Sequence, residues 1–371
     1  MKIGVDGNLI SCNKTGMGVV VYNVLKYWKQ NNEFEVHLYV TKQLDKETET
    51  VFKNNSIIIK VLGEYNYLLW EQVIIPRETK KDSIDVLWCP YNTAPLFPGC
   101  KIVLSIHDMI FMNASLRKTP SLYKKMGIIY RRLLVPIVAK RATALVTVSQ
   151  FSKKELVKYF SDKKINVIYN AVEENEGIDT ISGLKRLKDL GVRKEYILAI
   201  GSLEYRKNTR RVIEAYENLP INIRKEYQLV LFGFRGYEES YEKKYIDKKF
   251  VSGEVIVLGY ISDHDKNVLY SQSSFFVYPS LSEGFGLPIL EAFSFKTPVI
   301  TSNVTSMPEV AGDAALYVDP ENVQDIQNAM LDLLRGKQLR EELVIKGTDR
   351  IRCFSWEKSS MEYRKLFMSI N

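Results

Sequence analysis

The most informative stretch of this sequence reads Ser282-Glu283-Gly284-Phe285-Gly286-Leu287-Pro288-Ile289-Leu290-Glu291-Ala292. It follows an apolar run at residues 274–278 that predicts a buried strand, and it opens an apolar helix. Pro288 suits the first turn of that helix, because its missing N–H would have no helical partner there. Gly284 and Gly286 let the backbone approach a ligand closely. Free N–H groups at such a helix start bind anions, so this strand–loop–helix unit predicts a diphosphate site.

Two glutamates, Glu283 and Glu291, lie eight residues apart on either side of the predicted helix start. Neither needs to face the phosphates, because each can accept hydrogen bonds from hydroxyl groups on opposite sides of the site. A ribose would lie on one side and a hexose on the other. The alternative is a helix N-terminus with ordinary acidic capping, and the glycines alone do not decide between the two.

A second informative stretch, Glu204-Tyr205-Arg206-Lys207-Asn208, follows a predicted strand at residues 196–200 and precedes a predicted helix. A Lys/Arg pair in that position can neutralise a diphosphate leaving group without a metal ion. The alternative is that Arg206 and Lys207 are two solvated residues of an exposed loop.

Short apolar runs alternate with helical patterns through both halves of the chain, which predicts parallel sheets with helical crossovers. The strands predicted in the first half are residues 2–5, 35–40, 57–61, 86–89, 102–106, 145–148 and 167–168. Those predicted in the second half are residues 196–200, 228–232, 255–258, 274–278, 299–301 and 315–318. The predicted helices include residues 19–30, 123–139, 209–217 and 323–335.

This alternation is interrupted by an acidic, poorly periodic stretch at residues 172–177, which we interpret as a linker. We therefore expect an α/β protein with two Rossmann-like domains, at residues 1–172 and 173–355, facing a central cleft that binds ligands. A last helix, at residues 356–371, is expected to pack back on the N-terminal domain.

Composition narrows the class of protein. Hydrophobic residues make up 46% of the 371 residues, as in packed globular domains, and no apolar run approaches the ~20 residues that span a membrane. The N-terminus reads as a strand and not as a signal peptide, so we expect a cytoplasmic protein. The four cysteines form no C-x-x-C pair and the three histidines are scattered, so we predict neither a disulfide framework nor a metal site.

The basic surplus of the chain is confined to its first half. Residues 1–170 hold 25 Lys/Arg and 14 Asp/Glu, whereas residues 171–371 hold 27 and 30. The surplus peaks at residues 117–141, with eight basic side chains and no acidic one, interleaved with apolar residues. This segment could lie on an anionic membrane and meet a lipid-linked acceptor, or it could be a solvated helix whose apolar side is core. A pI near 9 without aromatic-interleaved basic motifs does not predict nucleic-acid binding.

The first stretch resembles the E-x7-E motif of the fourth family of retaining glycosyltransferases, which have the GT-B fold. The segments at residues 297–300, 308–312 and 316–320 also match this family. The resemblance covers the C-terminal half well and the N-terminal half more loosely. It implies that Glu283 contacts the transferred sugar and Glu291 the ribose. Backbone N–H groups of three residues would hold the sugar and the distal phosphate: Phe285, Gly286 and Leu287.

The same resemblance assigns the two basic residues. The family uses a lysine at the position of Lys207 to neutralise the leaving diphosphate. Many members have an arginine where this chain has Ser202, so we expect Arg206 to replace that charge within the donor site. Tyr260 and Ile261 lie in a segment like the one that holds the nucleobase through its backbone.

The N-terminal half carries two further matches. The family often has His-Asp at the end of a strand, as in His107-Asp108, with the histidine near the donor sugar. His107 would stabilise positive character on the anomeric carbon through its carbonyl or contact a sugar hydroxyl. Gly16 and Gly18 resemble the first glycine loop of the family, which lies against the phosphates or the acceptor, although a simple strand-to-helix turn explains them too.

These features predict a retaining, metal-independent hexosyltransferase that uses a nucleotide sugar as substrate and needs no cofactor. GDP-mannose is the first donor to consider, with UDP or dTDP sugars as alternatives. The acceptor would be a glycan or lipid-linked oligosaccharide in bacterial polysaccharide or lipopolysaccharide synthesis, at the inner face of the cytoplasmic membrane. His107, Glu283 and Lys207 are the expected catalytic residues. The alternatives are a sugar-nucleotide epimerase of the same fold and a non-catalytic sugar-nucleotide-binding subunit.

Overall fold

A computed structural model of the chain describes residues 1–10, 16–28, 33–113, 122–173, 175, 179–238, 240–250 and 253–370. The chain divides into two compact units. The first comprises Met1–Asn170 and Ser355–Asn371, and the second comprises Ala171–Phe354. Each unit encloses its own apolar core.

The first unit is built on a parallel sheet of seven described strands in the order β3-β2-β1-β4-β5-β6-β7. These are β1 (Lys2–Asp6), β2 (Glu35–Val40), β3 (Ile57–Val61), β4 (Val86–Cys89), β5 (Lys101–Ser105), β6 (Ala144–Thr147) and β7 (Ile165–Val167). The helices between them are α1 (Met17–Lys26), α2 (Lys46–Asn54), α3 (Tyr67–Leu69), α4 (Ile75–Lys81), α5 (Ile110–Asn113), α6 (Leu122–Arg141) and α7 (Gln150–Val157). A π-helical turn, Trp70–Ile74, joins α3 to α4.

The second unit has a parallel sheet of six described strands in the order β10-β9-β8-β11-β12-β13. These are β8 (Glu195–Ile200), β9 (Tyr227–Phe232), β10 (Val255–Val257), β11 (Phe275–Tyr278), β12 (Val299–Ser302) and β13 (Ala315–Val318). Its helices are α8 (Thr180–Asp189), α9 (Thr209–Glu217), α10 (Ile221–Glu226), α11 (Tyr241–Lys249), α12 (Asp263–Gln272), α13 (Leu287–Ser294), α14 (Met307–Ala311), α15 (Val323–Arg335) and α16 (Lys337–Ile351). A short 3-10 turn, Tyr205–Lys207, precedes α9.

Unbroken apolar sequence explains the central strands of both sheets. Every residue of β4 and of β11 is buried, because helices cover both faces of a parallel sheet. The outer strands are less buried, as in β3, where only Ile57 is fully buried and Ile58 and Val61 are exposed. The prediction of an α/β protein with two Rossmann-like, parallel-sheet domains is confirmed.

The last helix, α17 (Trp356–Met368), belongs to the first unit. The Tyr363 ring lies 4.5 Å from the Trp88 ring of β4, and the Phe367 ring lies 5.9 Å from that of Trp28. The Ser359 hydroxyl donates to the Tyr169 carbonyl at 2.6 Å. The first unit is therefore completed by residues that follow the whole second unit in the chain.

Each sheet reverses its strand order once, between β1 and β4 in the first unit and between β8 and β11 in the second. In doubly wound sheets, ligands bind outside the carboxyl ends of the strands at this switch point. The loops after β8 and β11 hold the two sequence motifs that predict a diphosphate site. None of the helices within the described ranges has the length and hydropathy needed to cross a membrane.

Candidate active site

The carboxyl ends of β8 and β11 bring Arg206, Lys207 and Glu283 into one charge cluster. Lys207 Nζ is 2.7 Å from Glu283 Oε1, and Arg206 Nη1 is 2.7 Å from Glu283 Oε2. Arg206 also pairs with Glu204 at 2.8 Å. The alternative of two solvated loop residues is wrong, because the Lys207 side chain is only 17% exposed and both cations are paired.

Tyr278, the last residue of β11, completes the cluster. Its buried hydroxyl accepts from Lys207 Nζ at 2.7 Å and donates to Glu283 Oε1 at 2.8 Å. Burial opposes ionisation of Glu283, but the adjacent Lys207 and Arg206 outweigh it and hold the pKa of the carboxyl below its ordinary value. Burial likewise disfavours the Lys207 cation, yet Tyr278 and Glu283 raise its pKa. Lys207 and Glu283 are therefore both ionised at neutral pH.

Asn208 fixes the loop that carries the two cations. Its backbone adopts a left-handed conformation with φ of 62°, which asparagine tolerates better than most residues. Its side-chain amide donates to the carbonyls of Pro279, at 2.9 Å, and Pro320, at 2.6 Å. The Arg206 carbonyl accepts from Leu281 N–H at 2.7 Å. The loops after β8 and β11 are thus held together by hydrogen bonds independent of the charges.

The glycine loop before α13 needs its glycine. Gly286 is the N-cap of α13 with φ of 120°, and a Cβ there would lie 2.8 Å from Met307 Cε. The Ser306 hydroxyl donates to the carbonyls of Glu283, at 3.0 Å, and Phe285, at 2.7 Å, which turns the loop toward the helix start. No acidic residue lies in the first turn of α13, so the alternative of ordinary acidic capping is wrong. Leu287 begins the helix, and Pro288 lies in its first turn.

Glu291 lies on α13 and has partners different from those of Glu283. Its carboxylate is 3.0 Å from Lys266 Nζ and accepts from the Tyr270 hydroxyl at 3.2 Å, both on α12. The side chain is 28% exposed, so it is held in place and still accessible. The two glutamates therefore belong to two separate polar groups, one on each side of the α13 start.

The remaining residues predicted for the donor site lie on loops at the same edge of the sheet. Ser202 follows β8 and accepts from Glu204 N–H through its hydroxyl at 3.1 Å. Tyr260 and Ile261 follow β10, and the Tyr260 ring is 59% exposed, with the Arg235 guanidinium 5.5 Å from its centroid. Ser202 contributes no charge, and Arg206 lies in the neighbouring turn, where a second cation was expected.

In the first unit, His107 is held at three points in the loop after β5. Its Nε2 lies 2.8 Å from the Pro90 carbonyl, its N–H donates to Asn92 Oδ1 at 2.7 Å, and its carbonyl accepts from the Ser152 hydroxyl at 3.1 Å. Because a carbonyl only accepts, Nε2 carries the ring proton. Burial lowers the pKa of His107, which keeps the ring neutral with Nδ1 as its acceptor atom.

The two glycines of the first loop are explained by different structural features. Gly16 has φ of 57° and directly precedes α1, and a Cβ there would meet nothing within 4 Å. At Gly18, by contrast, a Cβ would lie 2.6 Å from the Leu9 carbonyl oxygen. Close packing of α1 against the turn after β1 therefore accounts for Gly18. Residues 11–15 of this loop lie outside the described residues.

Helix α6 exposes apolar residues on the face opposite to its buried one. The buried residues include Leu134, Val135 and Val138. Five exposed residues follow helical spacing on the other face and are called the α6 stripe here: Leu122, Met126, Ile129, Leu133 and Ile137. The interpretation of this helix as one whose apolar side is core holds for Ile128 and Leu134 and does not account for the stripe. Residues 117–121 of the basic segment lie outside the described part of the chain.

The Asp263-His264-Asp265 segment begins α12, with the Ser262 hydroxyl capping it by accepting from Asp265 N–H. Asp265 forms a bidentate pair with Arg186, at 2.7 and 3.0 Å. Within the described ranges, no three His, Cys, Asp or Glu side chains are grouped so that they could hold a metal ion.

Comparison with known proteins identifies the family. A family model described as "Glycosyl transferases group 1" matches residues 185–350, and one described as "Glycosyltransferase Family 4" matches residues 14–176. The O-antigen chain mannosyltransferase B of Escherichia coli is 34% identical over 266 residues, which cover 71% of this chain and 68% of that protein. The O-antigen chain mannosyltransferase RfbU of Salmonella typhimurium is 29% identical over 274 residues, covering 72% and 69%.

A solved structure agrees with these matches. Alr3699/HepE from Anabaena, in complex with UDP and glucose, matches with a TM-score of 0.76 at 16% identity and covers 100% of both chains. At that identity the likeness establishes the fold alone, and the predicted GT-B fold is confirmed. The family models and the O-antigen mannosyltransferases together show that this chain belongs to glycosyltransferase family 4, as a hexosyltransferase of the kind that builds bacterial surface polysaccharides.

Proposed function

We propose that the protein transfers mannose from GDP-mannose, with retention of configuration and without a metal ion, to a growing glycan or lipid-linked oligosaccharide. The observation that carries this proposal is the cluster in which Lys207 and Arg206 each lie 2.7 Å from Glu283. Two cations beside a helix start suit a diphosphate, and a carboxylate between them suits a sugar hydroxyl.

In the proposed donor site, the two cations bind the phosphate and the two glutamates bind the sugars. On binding, the distal phosphate takes hydrogen bonds from Lys207, Arg206 and the N–H groups at the start of α13. Glu283 then accepts from hydroxyls of the hexose, while Glu291 accepts from those of the ribose. As the sugar–phosphate bond breaks, negative charge grows on the phosphate, and the two fixed cations stabilise it most at that moment.

Retention follows in this proposal from attack on the same face that the phosphate leaves. The acceptor hydroxyl would bond to the anomeric carbon as the sugar–phosphate bond opens, and its proton would pass to the departing phosphate oxygen. His107 would stabilise positive character on the sugar, through its carbonyl or a contact with a sugar hydroxyl. The charges of Lys207 and Arg206 would supply what a metal ion supplies in other transferases.

The donor is inferred from relatives. The E. coli and Salmonella relatives are named mannosyltransferases, which favours a mannosyl donor, whereas HepE was solved in complex with UDP and glucose. Nucleotide and sugar are therefore tested separately. A non-catalytic sugar-nucleotide-binding role is disfavoured by the intact pair of Glu283 and Glu291 with Lys207 and by the relatives, which are named transferases.

The deciding experiment is a thermal-shift panel with GDP-mannose, UDP-glucose, dTDP-rhamnose and the free nucleotides, followed by transfer assays with and without EDTA. A donor at about 100 times its Kd should stabilise the protein by roughly 2.7 kcal/mol. We expect GDP-mannose to give the largest shift, transfer to persist in EDTA, and the product to carry the α configuration of the donor by NMR. An inverted product, or transfer abolished by EDTA and restored by a divalent cation, would contradict the proposal.

We further propose that the first unit contacts an anionic membrane through the α6 stripe, at the inner face of the cytoplasmic membrane. Leu122, Met126 and Leu133 are 73%, 61% and 68% exposed on one face of α6. Lys140 is exposed seven residues after Leu133, and therefore on the same face of the helix. Apolar side chains with flanking cations suit a surface of anionic lipid, where a lipid-linked acceptor would be presented.

A further inference from the structure

Glu71 is a buried carboxylate that none of the motifs above includes. It is 1% exposed and lies in the π-helical turn Trp70–Ile74 between α3 and α4. A π turn costs regular helical hydrogen bonds and is often found at functional sites. Here the turn directs an acidic side chain into the core of the first unit, and its hydrogen-bond partners explain how it is held there.

Four neutral donors surround this carboxylate. Oε1 accepts from the Tyr130 hydroxyl at 2.5 Å and from Gln72 Nε2 at 2.8 Å. Oε2 accepts from the Tyr67 hydroxyl at 2.8 Å and from the Thr93 hydroxyl. The donors come from α3, the π turn, the loop after β4, and α6. Glu71 therefore ties its own helical stretch to two segments that are distant in sequence, the loop after β4 and α6.

A carboxylate is the side chain that can accept from four donors at once. A glutamine in its place would turn an amide NH2 toward two of the donors and lose their hydrogen bonds. Burying a charge beside neutral donors is expensive, and an apolar residue would pack at lower cost. The arrangement therefore favours a role that depends on where these three segments are held.

The loop after β4 leads from Glu71 to His107. Thr93, which donates to Glu71, is preceded by Asn92, whose φ of 68° is left-handed. Asn92 Oδ1 accepts from His107 N–H, and the Pro90 carbonyl faces His107 Nε2. The residues that hold both the backbone and the ring of His107 thus belong to the loop that Glu71 anchors.

We propose that Glu71 is a positioning residue that holds His107 in place through the loop of residues 90–93. The inference rests on the proposed function, in which His107 acts at the donor sugar. Glu71 does not touch a substrate in this role. It fixes Thr93, Thr93 fixes the adjacent Asn92, and Asn92 with Pro90 holds the backbone N–H and the ring of His107.

The test is a double-mutant cycle on kcat with three variants, Glu71→Gln, His107→Ala and the double variant. Glu71→Gln should lower kcat on the order of 100-fold, as expected when a catalytic group is misplaced by about 1 Å. The KM for the donor and the thermal shift that the donor produces should stay near wild type, because the cluster around Lys207 lies in the other unit. In the His107→Ala background, Glu71→Gln should cause little further loss, because the residue it acts through is gone.

A second pair of variants covers the case in which Glu71→Gln does not fold. Thr93→Val removes one hydroxyl at nearly constant volume, together with its contacts to Glu71 and to the Tyr67 hydroxyl, and we expect kcat to fall roughly tenfold, the loss typical of a hydrogen bond to a charged group. Thr93→Ser keeps that hydroxyl and should restore kcat to within about twofold of wild type. A structural role alone would lower the melting temperature without this split between valine and serine.

Three results would overturn the inference. The first is wild-type kcat in Glu71→Gln or in Thr93→Val. The second is full multiplication of the two losses in the double variant, which would show that Glu71 acts independently of His107. The third is a wild-type protein that transfers sugar from no nucleotide donor, which would overturn the proposed function together with this inference, whereas the first two leave the proposed function standing.

Discussion

Lys207 carries a charge that the folded protein maintains against burial. The side chain is 17% exposed, and contacts with Tyr278 and Glu283 raise the pKa of its amine although burial would lower it. A permanent cation at this position costs nothing to create when the phosphate departs, which is how preorganised charge lowers a barrier. The same contacts mean that removing Lys207 leaves Glu283 buried with one cation fewer.

We predict that Lys207→Ala lowers kcat by roughly 100- to 1,000-fold, the loss typical of one preorganised electrostatic contact. Initial rates with the donor identified by thermal shift measure this. Lys225→Ala is the matched control, because Lys225 is an exposed lysine of the same unit, on α10. A Lys207→Ala enzyme with more than about a third of wild-type kcat would contradict the assigned role.

Asp6, at the end of β1, gives the first unit a pH dependence. Burial and the charge of Glu71 raise the pKa of Asp6 to about 7, although hydrogen bonds from Trp70 Nε1 and Asn8 N–H oppose the shift. The unfolded carboxyl titrates near 3.9. The folded state therefore binds the proton more tightly, and stability present below about pH 4 is lost as the pH rises through 7.

We predict that Asp6→Asn gains stability relative to wild type, by a few kcal/mol, as the pH rises from about 4 to 8. Asparagine keeps an oxygen to accept from Trp70 but has no charge to bury. All four tryptophans of the chain lie within the first unit, so tryptophan fluorescence during urea unfolding reports on that unit. The exposed Asp162→Asn is the control, and a difference between Asp6→Asn and wild type that stays constant with pH would refute the prediction.

At the scale of elements, the start of α13 depends on the backbone of one residue. Gly286 combines a φ of 120° with a Met307 Cε that lies 2.8 Å from where a Cβ would be. Met307 Cε ends a flexible side chain and can move away, but a φ of 120° is unfavourable for any residue with a side chain, so a substitution strains the loop whose N–H groups are proposed to hold the phosphate. The distortion would reach Glu283 as well, since Ser306 binds the carbonyls on both sides of Gly284.

We predict that Gly286→Ala weakens donor binding at least tenfold by calorimetry, because the helix start no longer presents its N–H groups correctly. Gly191→Ala is the matched control. Its φ of 83° is also unfavourable for alanine, but a Cβ there meets nothing within 4 Å. The control should lose stability and keep its donor Kd, so equal losses of affinity in both variants would count against the phosphate loop.

A separate prediction concerns the binding of helix α6 to membranes. Leu133→Glu should reduce co-sedimentation with vesicles containing phosphatidylglycerol by at least fivefold, since a charge would replace an apolar side chain that is proposed to enter the lipid surface. Ile345→Glu, at a residue of α16 that is 64% exposed, is the control and should bind as wild type does. Wild-type protein that fails to sediment with these vesicles, or a Leu133→Glu variant that binds equally, would rule out the α6 stripe as a docking face.

The sequence predicted some elements to the residue and missed others for physical reasons. The strands at residues 35–40, 57–61, 86–89 and 315–318 and the helices at residues 209–217 and 323–335 have their predicted bounds. Helices α8 and α16 were missed. Of the 15 residues in α16, only Leu343, Gly347 and Ile351 are buried, too few to give a clear apolar period.

The candidate site was likewise predicted only in part. Arg206, Lys207 and Glu283 were found by local motif and do lie together. Tyr278 was missed, because in sequence it is one more apolar residue of a buried strand, and Lys266 and Tyr270 were missed because their partner Glu291 is on another helix. The signal that could have identified Tyr278 is a tyrosine at the carboxyl end of a strand beside the switch point. For α6, periodicity placed apolar residues on both faces and could not say which face meets the core.

At the scale of the whole molecule, the two halves of the sequence differ in net charge. The first half of the sequence carries the basic surplus and the α6 stripe, whereas the second half is slightly acidic and holds Arg206 and Lys207 against Glu283. Bulk attraction to an anionic surface is thus expected of the first unit. Capture of a diphosphate in the second unit depends on two particular side chains, so added salt should weaken vesicle binding more than donor binding.

Because α17 belongs to the first unit, the order of synthesis has a consequence for the nascent chain. At about 5–20 residues per second, a ribosome needs on the order of 10–40 s to make Ala171–Phe354, and only then does α17 emerge. Throughout that interval the indole of Trp88 lacks the ring that later covers it. The half of the enzyme that is translated first is therefore the half that finishes folding last, and it offers chaperones an apolar surface until translation of α17 is complete.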